Sequence, residues 1–121
     1  MLLAAQIFVA IVALEHVGFA VLEMLLFAKP LGRKVFGTTE TFAKEAAPLA
    51  ANQGLYNLFL AAGLFWSLAA GDPLARPLRL FFLGCVVVAG IFGGLTASKS
   101  ILAVQALPGA IALALAFAAP A

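Results

Sequence analysis

Charge in this chain is confined almost entirely to three short breaks between long apolar stretches, and that pattern limits what it can fold into more than any single motif does. The stretches run from about Leu2 to Ala28, Ala46 to Ala70, Leu78 to Ala97 and Ile101 to Ala119. Each approaches the roughly 20 apolar residues that a helix needs to cross the hydrocarbon core of a bilayer. With 65% hydrophobic residues, 10% charged residues and a mean hydropathy of +1.16, 121 residues carry too little polar surface to coat a water-soluble globule of that size. The expectation is an all-α polytopic membrane protein: one integral membrane domain over residues 1–121, built as a four-transmembrane-helix bundle.

The first break, Lys29 to Glu45, has Pro30, Gly32 and Gly37 as helix stoppers and is the only loop long enough for structure of its own. Within it, Thr39 or Thr41 could cap a helical turn over Thr38 to Ala43, ahead of Pro48. Gly71, Asp72 and Pro73 open the second break, a tight turn that continues to Arg76, Pro77 and Arg79. The third is only Ser98, Lys99 and Ser100, so the last two helices must form an antiparallel hairpin. Lys29, Arg33, Lys34, Lys44 and Lys99 fall on one side of such a bundle, and Arg76 and Arg79 on the other. Basic residues resist translocation, which places both termini outside the cytoplasm of a cell inner membrane.

The basic balance, a net charge of +2, is explained by topology and lipid headgroups, so no nucleic-acid partner is expected. Cys85 is the single cysteine and sits in an apolar stretch, which excludes an intrachain disulfide and favours a buried, inert thiol. The first stretch lacks a basic leader and carries acids, unlike a secretory signal, and is expected to remain as a helix.

Those acids are the second constraint. Glu15, the only histidine, His16, and Glu23 lie inside the first apolar stretch. A charge at mid-span costs roughly 2.5–3.5 kcal/mol on insertion scales, so ionisable groups there are a functional hypothesis by default. At about 100° per residue, His16 and Glu23 fall within roughly 20° of one another and Glu15 about 100° from His16. The second stretch supplies Asn52, Gln53, Tyr56 and Asn57 within six residues, and Gln105 lies about one turn into the fourth. If the first two helices enter from the same side, Glu23 and Asn52 sit at similar depth, with His16 near Asn57 and Tyr56 further in. The expected site is an acid and amide cluster opening toward the cytoplasm.

Each of these residues also has a plain structural reading. His16 is either a neutral imidazole bonded to a neighbouring helix or a proton acceptor beside carboxylates. Glu15 and Glu23 are either neutral acids bonded to Asn or Gln, or proton carriers. Asn52, Gln53, Asn57 and Gln105 serve as interhelical glue or ligand contacts, and Tyr56 as core with its hydroxyl closing the network. Glu15 and His16 are adjacent and point apart, Glu23 is two turns away, and no paired-His spacing exists, so neither a metal site nor a cofactor is expected. Gly90 and Gly94 form a GxxxG pair extended by Ser98, read as helix packing, while Pro108 and Gly109 should kink the last helix and free a carbonyl near Val104.

In order along the chain, Glu15-His16, Leu22-Glu23-Met24, Arg33-Lys34-Val35-Phe36, Asn52-Gln53-Gly54-Leu55-Tyr56-Asn57, Ala61-Ala62-Gly63-Leu64, Val88-Ala89-Gly90-Ile91-Phe92-Gly93 and Gln105-Ala106-Leu107-Pro108 resemble a bacterial family of short four-span membrane proteins. That family is catalogued as domain of unknown function 1304. The resemblance covers nearly the whole chain and implies fold and topology, with no established activity to carry over. The small multidrug-resistance transporters are similar in architecture, with four spans and a glutamate in the first helix where Glu15 stands, but their surrounding residues differ.

The leading functional expectation is a proton-titratable pocket that binds or transports a small or amphipathic, lipophilic ligand. Glu15 and Glu23 would exchange protons, His16 would tune them, and the amides and Tyr56 would hold the ligand, in a protein that works as a homodimer. Two other classes stay open. One is an intramembrane acid/base enzyme, isomerase-like, on a lipid-soluble substrate; the other is a small assembly or regulatory subunit.

Overall fold

The computed structural model describes residues 2–119, and all of the regular structure among them is helical. Helix α1 spans Leu2–Met24, α2 Pro30–Phe36, α3 Glu40–Ala69 and α4 Ala75–Thr96. A π-helical segment, Leu102–Ala106, then leads directly into α5, Leu107–Ala118. Helices α1 and α4 are long and apolar enough to cross a membrane, by length and composition. The π segment and α5 make a shorter apolar run, Leu102–Ala118, and α3 does not join α1 and α4 despite its 30 residues. Its amides at Asn52, Gln53 and Asn57 and its charged first turns lower its hydropathy. Of the four expected spans, two therefore meet the test of length and composition.

The chain divides into two compact units, one comprising Met1–Leu14 with Leu60–Ala121 and the other Glu15–Phe59. In the first, Val9, Val12 and Ala13 of α1, Leu64 of α3, Leu83 and Val86 of α4, and Ala112 and Ala116 of α5 form one fully buried core. The sequence dictates this through helical stripes. The buried residues of α4 are Ala75, Arg79, Leu83, Val86, Gly90 and Gly94, spaced by three or four so that one face packs and the rest is partly buried or exposed.

Small residues set how closely these helices approach. A Cβ on Gly90 would lie 2.8 Å from the Ala106 nitrogen and 2.9 Å from its Cα, and one on Gly94 would meet the Leu102 side chain. The Gly90 and Gly94 pair thus seats the π segment against α4, as small residues do where backbones nearly touch. The π turn itself follows from Pro108. Proline has no N–H and its ring crowds the carbonyl four residues earlier, here Val104, so the helix widens and the Leu107 N–H reaches the Leu102 carbonyl, five residues back.

The first break holds more helix than the sequence spacing indicates. Pro30 and Gly37, read as stoppers, instead bound α2: Pro30 occupies its first turn, and Gly37, at φ 65° and ψ 36°, closes it in the left-handed conformation that glycine adopts without a Cβ penalty. Phe27 and Phe36 stack beside it with ring centroids 5.2 Å apart. Helix α3 starts at Glu40, ahead of the expected Ala46, because the Thr39 hydroxyl accepts the Phe42 N–H at 3.2 Å as a cap. It then runs through Pro48, which lies on an exposed face.

Candidate functional site

The polar residues of the Glu15–Phe59 unit come from the last turns of α1 and the first half of α3. Their register is set by Gly54, whose missing side chain admits the Met24 side chain; a Cβ there would also lie 3.2 Å from both the Ala20 carbonyl oxygen and the Glu23 Cβ. Helical side chains lean toward the N-terminus of their own helix. In this antiparallel pair, Glu23 leans back along α1 while Asn57 leans toward the level of Gly54, and the two meet. Asn57 Nδ2 donates to Glu23 Oε2 at 2.6 Å in a half-buried setting. The sequence places Asn52 at the depth of Glu23; the structure instead sets Asn57 there, and the lean of the side chains accounts for the shift.

The other predicted residues are placed as follows. His16 is fully buried and packs edge-on against Phe19, with ring centroids 5.3 Å apart. Glu15 is partly buried, and its Oε2 is shielded from solvent with no hydrogen bond reaching it among the described residues. Asn52 and Gln53 are exposed on α3, as is Tyr56, which makes an edge contact with Phe59. Gln105 belongs to the other unit, where the widened turn aims it at α4 and its Nε2 donates to the Val86 carbonyl at 3.2 Å. The structure thus joins Glu23 to Asn57, buries His16, and leaves Asn52, Gln53 and Tyr56 on the outer face of α3. Among the described residues, no group of three or more His, Cys, Asp or Glu could hold a metal ion.

At the start of α3, Glu40 accepts a 2.7 Å hydrogen bond from Lys44 and lies 3.6 Å from Arg33. The Lys44 bond, then the charges of Lys44 and Arg33, hold the Glu40 carboxyl below the usual glutamate range.

Two buried polar residues escaped the sequence reading, both in the larger unit. Ser67 is fully buried and its hydroxyl donates to the Leu64 carbonyl at 2.6 Å. Arg79 is only 5% exposed, and its Nη2 donates to the Ser67 carbonyl at 3.3 Å. The signal for Arg79 was present: it stands inside the buried α4 stripe, four residues before Leu83, although the charge of the neighbouring break disguised it.

The class these features define is an all-helical protein with two long apolar helices and an acid–amide pair linking the first to its antiparallel neighbour. The chain belongs to the family described as protein of unknown function (DUF1304), whose model matches residues 10–117. No curated protein and no solved structure matches it.

Proposed function

We propose that the protein is a four-span integral membrane protein whose α1 and α3 carry a proton-titratable site for a small or amphipathic ligand, opening toward the cytoplasm. The Glu23–Asn57 hydrogen bond is the observation that supports it most directly. An ionised Glu23 accepts the Asn57 N–H; a protonated Glu23 becomes a donor, and Asn57 must then turn its carbonyl toward it or release it. Gain or loss of one proton therefore reverses the polarity of the contact between two helices, which is what coupling a proton to a ligand requires. Glu15, with a shielded carboxyl oxygen, stands on the same helix as a second proton-exchanging group, and His16, buried one residue on, would tune the two acids.

The exposed face of α3 formed by Asn52, Gln53 and Tyr56 fits a second copy of the chain, consistent with a homodimer in which one protomer alone is too thin for a pathway. Lys29, Arg33, Lys34 and Lys44, gathered around α2, keep that end cytoplasmic and both termini outside.

Infrared titration of the protein in lipid tests the site without knowledge of the ligand. A protonated-carboxyl band should titrate with pH, lose its Glu23 component in Glu23→Gln and shift in frequency in Asn57→Leu. If no such band titrates, or if Asn57→Leu leaves it in place, the proton-coupled reading fails. A pH gradient across reconstituted vesicles, with ethidium as an amphipathic probe, then separates transport from simple binding.

A further inference from the structure

We propose that the larger unit holds an oxyanion site, at the first turn of α4, for a phosphate group that is either free or part of a lipid headgroup. A cavity of about 250 Å³ opens there, lined by Arg76 and Arg79 with Gln6, Asp72, Leu2 and Leu68 among its walls. Arg79 is the key to it. The side chain is 5% exposed, one amino group rests on the Ser67 carbonyl, and its Nε is shielded from solvent with no hydrogen bond among the described residues. Arg76 repeats the pattern: Nη2 donates to the Phe117 carbonyl at 3.1 Å, and Nε is shielded and unbonded.

Guanidinium does not lose its proton in a protein, so Arg79 cannot escape burial by becoming neutral. Ion pairs among the described residues involve only Arg33, Lys44 and Glu40, so among those residues neither arginine has a carboxylate partner. A buried, permanently charged cation with no counter-ion is costly unless an anion arrives from outside.

The helix adds to this demand. The first turn of α4 has no acidic residue and no side-chain cap; the Ala75 and Leu78 N–H groups bond to the Gly71 and Leu74 carbonyls and Pro77 has none, so what the helix adds is the pull of its dipole. Asp72 lines the same cavity, but it is exposed, forms no ion pair with either arginine, and offsets only one of two positive charges at the rim. The cavity is larger than a bare phosphate needs, and its apolar wall suits the glycerol and upper chain of a headgroup.

The test uses the purified full chain in a zwitterionic detergent, with thermal unfolding followed against inorganic phosphate at ionic strength matched with chloride. A parallel arm titrates short-chain phosphatidylglycerol into the same micelles, prepared from a detergent that contains no phosphate. We expect saturable stabilisation in one or both arms, weakened roughly tenfold by Arg76→Gln and abolished by Arg79→Met. Without the anion, Arg79→Met should melt at or above the parent temperature, since it removes an unanswered buried charge. Asp72→Asn should tighten binding. A response to inorganic phosphate alone assigns a free anion, and a response to phosphatidylglycerol assigns a headgroup. Absence of saturation in both arms, or a response that survives both Arg79→Met and Arg76→Gln, overturns the proposal. The infrared titration of Glu23 is independent of either outcome.

Discussion

In the Glu15–Phe59 unit the carboxylate of Glu23 meets the amide of Asn57 at 2.6 Å, whereas in the larger unit the more deeply buried guanidinium of Arg79 meets only the Ser67 carbonyl, at 3.3 Å. The two contacts show how differently an acid and an arginine tolerate burial. A carboxyl group can shed its charge and keep a neutral hydrogen bond, so an amide is enough company for it. An arginine stays charged, so a neutral carbonyl leaves it incomplete. One unit therefore contains its own partner, and the other asks for one.

Packing differs between the units in the same direction, and the largest expected effect lies there. In the larger unit Gly90 faces backbone atoms of Ala106, which cannot swing aside, while in the smaller one Gly54 faces chiefly the flexible end of Met24. Gly90→Val should cost about 3 kcal/mol in reversible denaturation in detergent, and Gly54→Ala distinctly less. Gly84, in the same helix as Gly90, has nothing within 4 Å of an added Cβ, so Gly84→Ala should stay within about 0.5 kcal/mol. Equal losses at Gly84 and Gly90 would remove the claim that the π segment is seated by a backbone contact.

Next in size is the acid–amide pair. Asn57→Leu strands the Glu23 carboxyl and should cost about 1–3 kcal/mol. Glu23→Gln keeps an acceptor for Asn57 and should cost less than about 1 kcal/mol. A double-mutant cycle with Glu23→Leu and Asn57→Leu should show coupling; strict additivity would mean that the two side chains do not interact. Ser67→Ala removes only a hydroxyl bonded to its own helix, so a loss near 0.5–1 kcal/mol is expected, with the Arg79 contact to the Ser67 carbonyl intact.

The smallest effect belongs to Glu40. Its carboxyl is held below the usual glutamate range by Lys44 first and Arg33 second, so its contribution is complete above the ordinary value of 4.5 and fades as pH falls below it. Amide protection around the start of α3, corrected for intrinsic exchange, should therefore fall as the pH drops below 4.5, less so at high salt, and the pH dependence should shrink in Glu40→Gln. A pH-independent exchange rate, once corrected for intrinsic chemistry, would show that this exposed cluster orders nothing.

Helicity and the two long apolar helices were legible because they rest on local quantities: run length, charge position and helical phase. The short hairpin at Ser98–Ser100 was legible for the same reason. The partner of Glu23 was not, since depth counted in residues ignores the lean of side chains and the register imposed by Gly54. Helix α2 was hidden by treating Pro30 and Gly37 separately as stoppers, although a proline in the first turn and a glycine past the last form a start and stop seven residues apart. Arg79 was hidden by its charge, which placed it with the break when its phase placed it with Leu83 and Val86.

The widened turn before α5 has one more implication. A π turn can travel along a helix when successive amides exchange one carbonyl for another, and each step needs an N–H to hand over. Pro108 has none, so travel toward the C-terminus stops at that residue, and on the other side the helix begins only two residues before Leu102. The bulge is hemmed in at both ends, which holds Gln105 against the Val86 carbonyl.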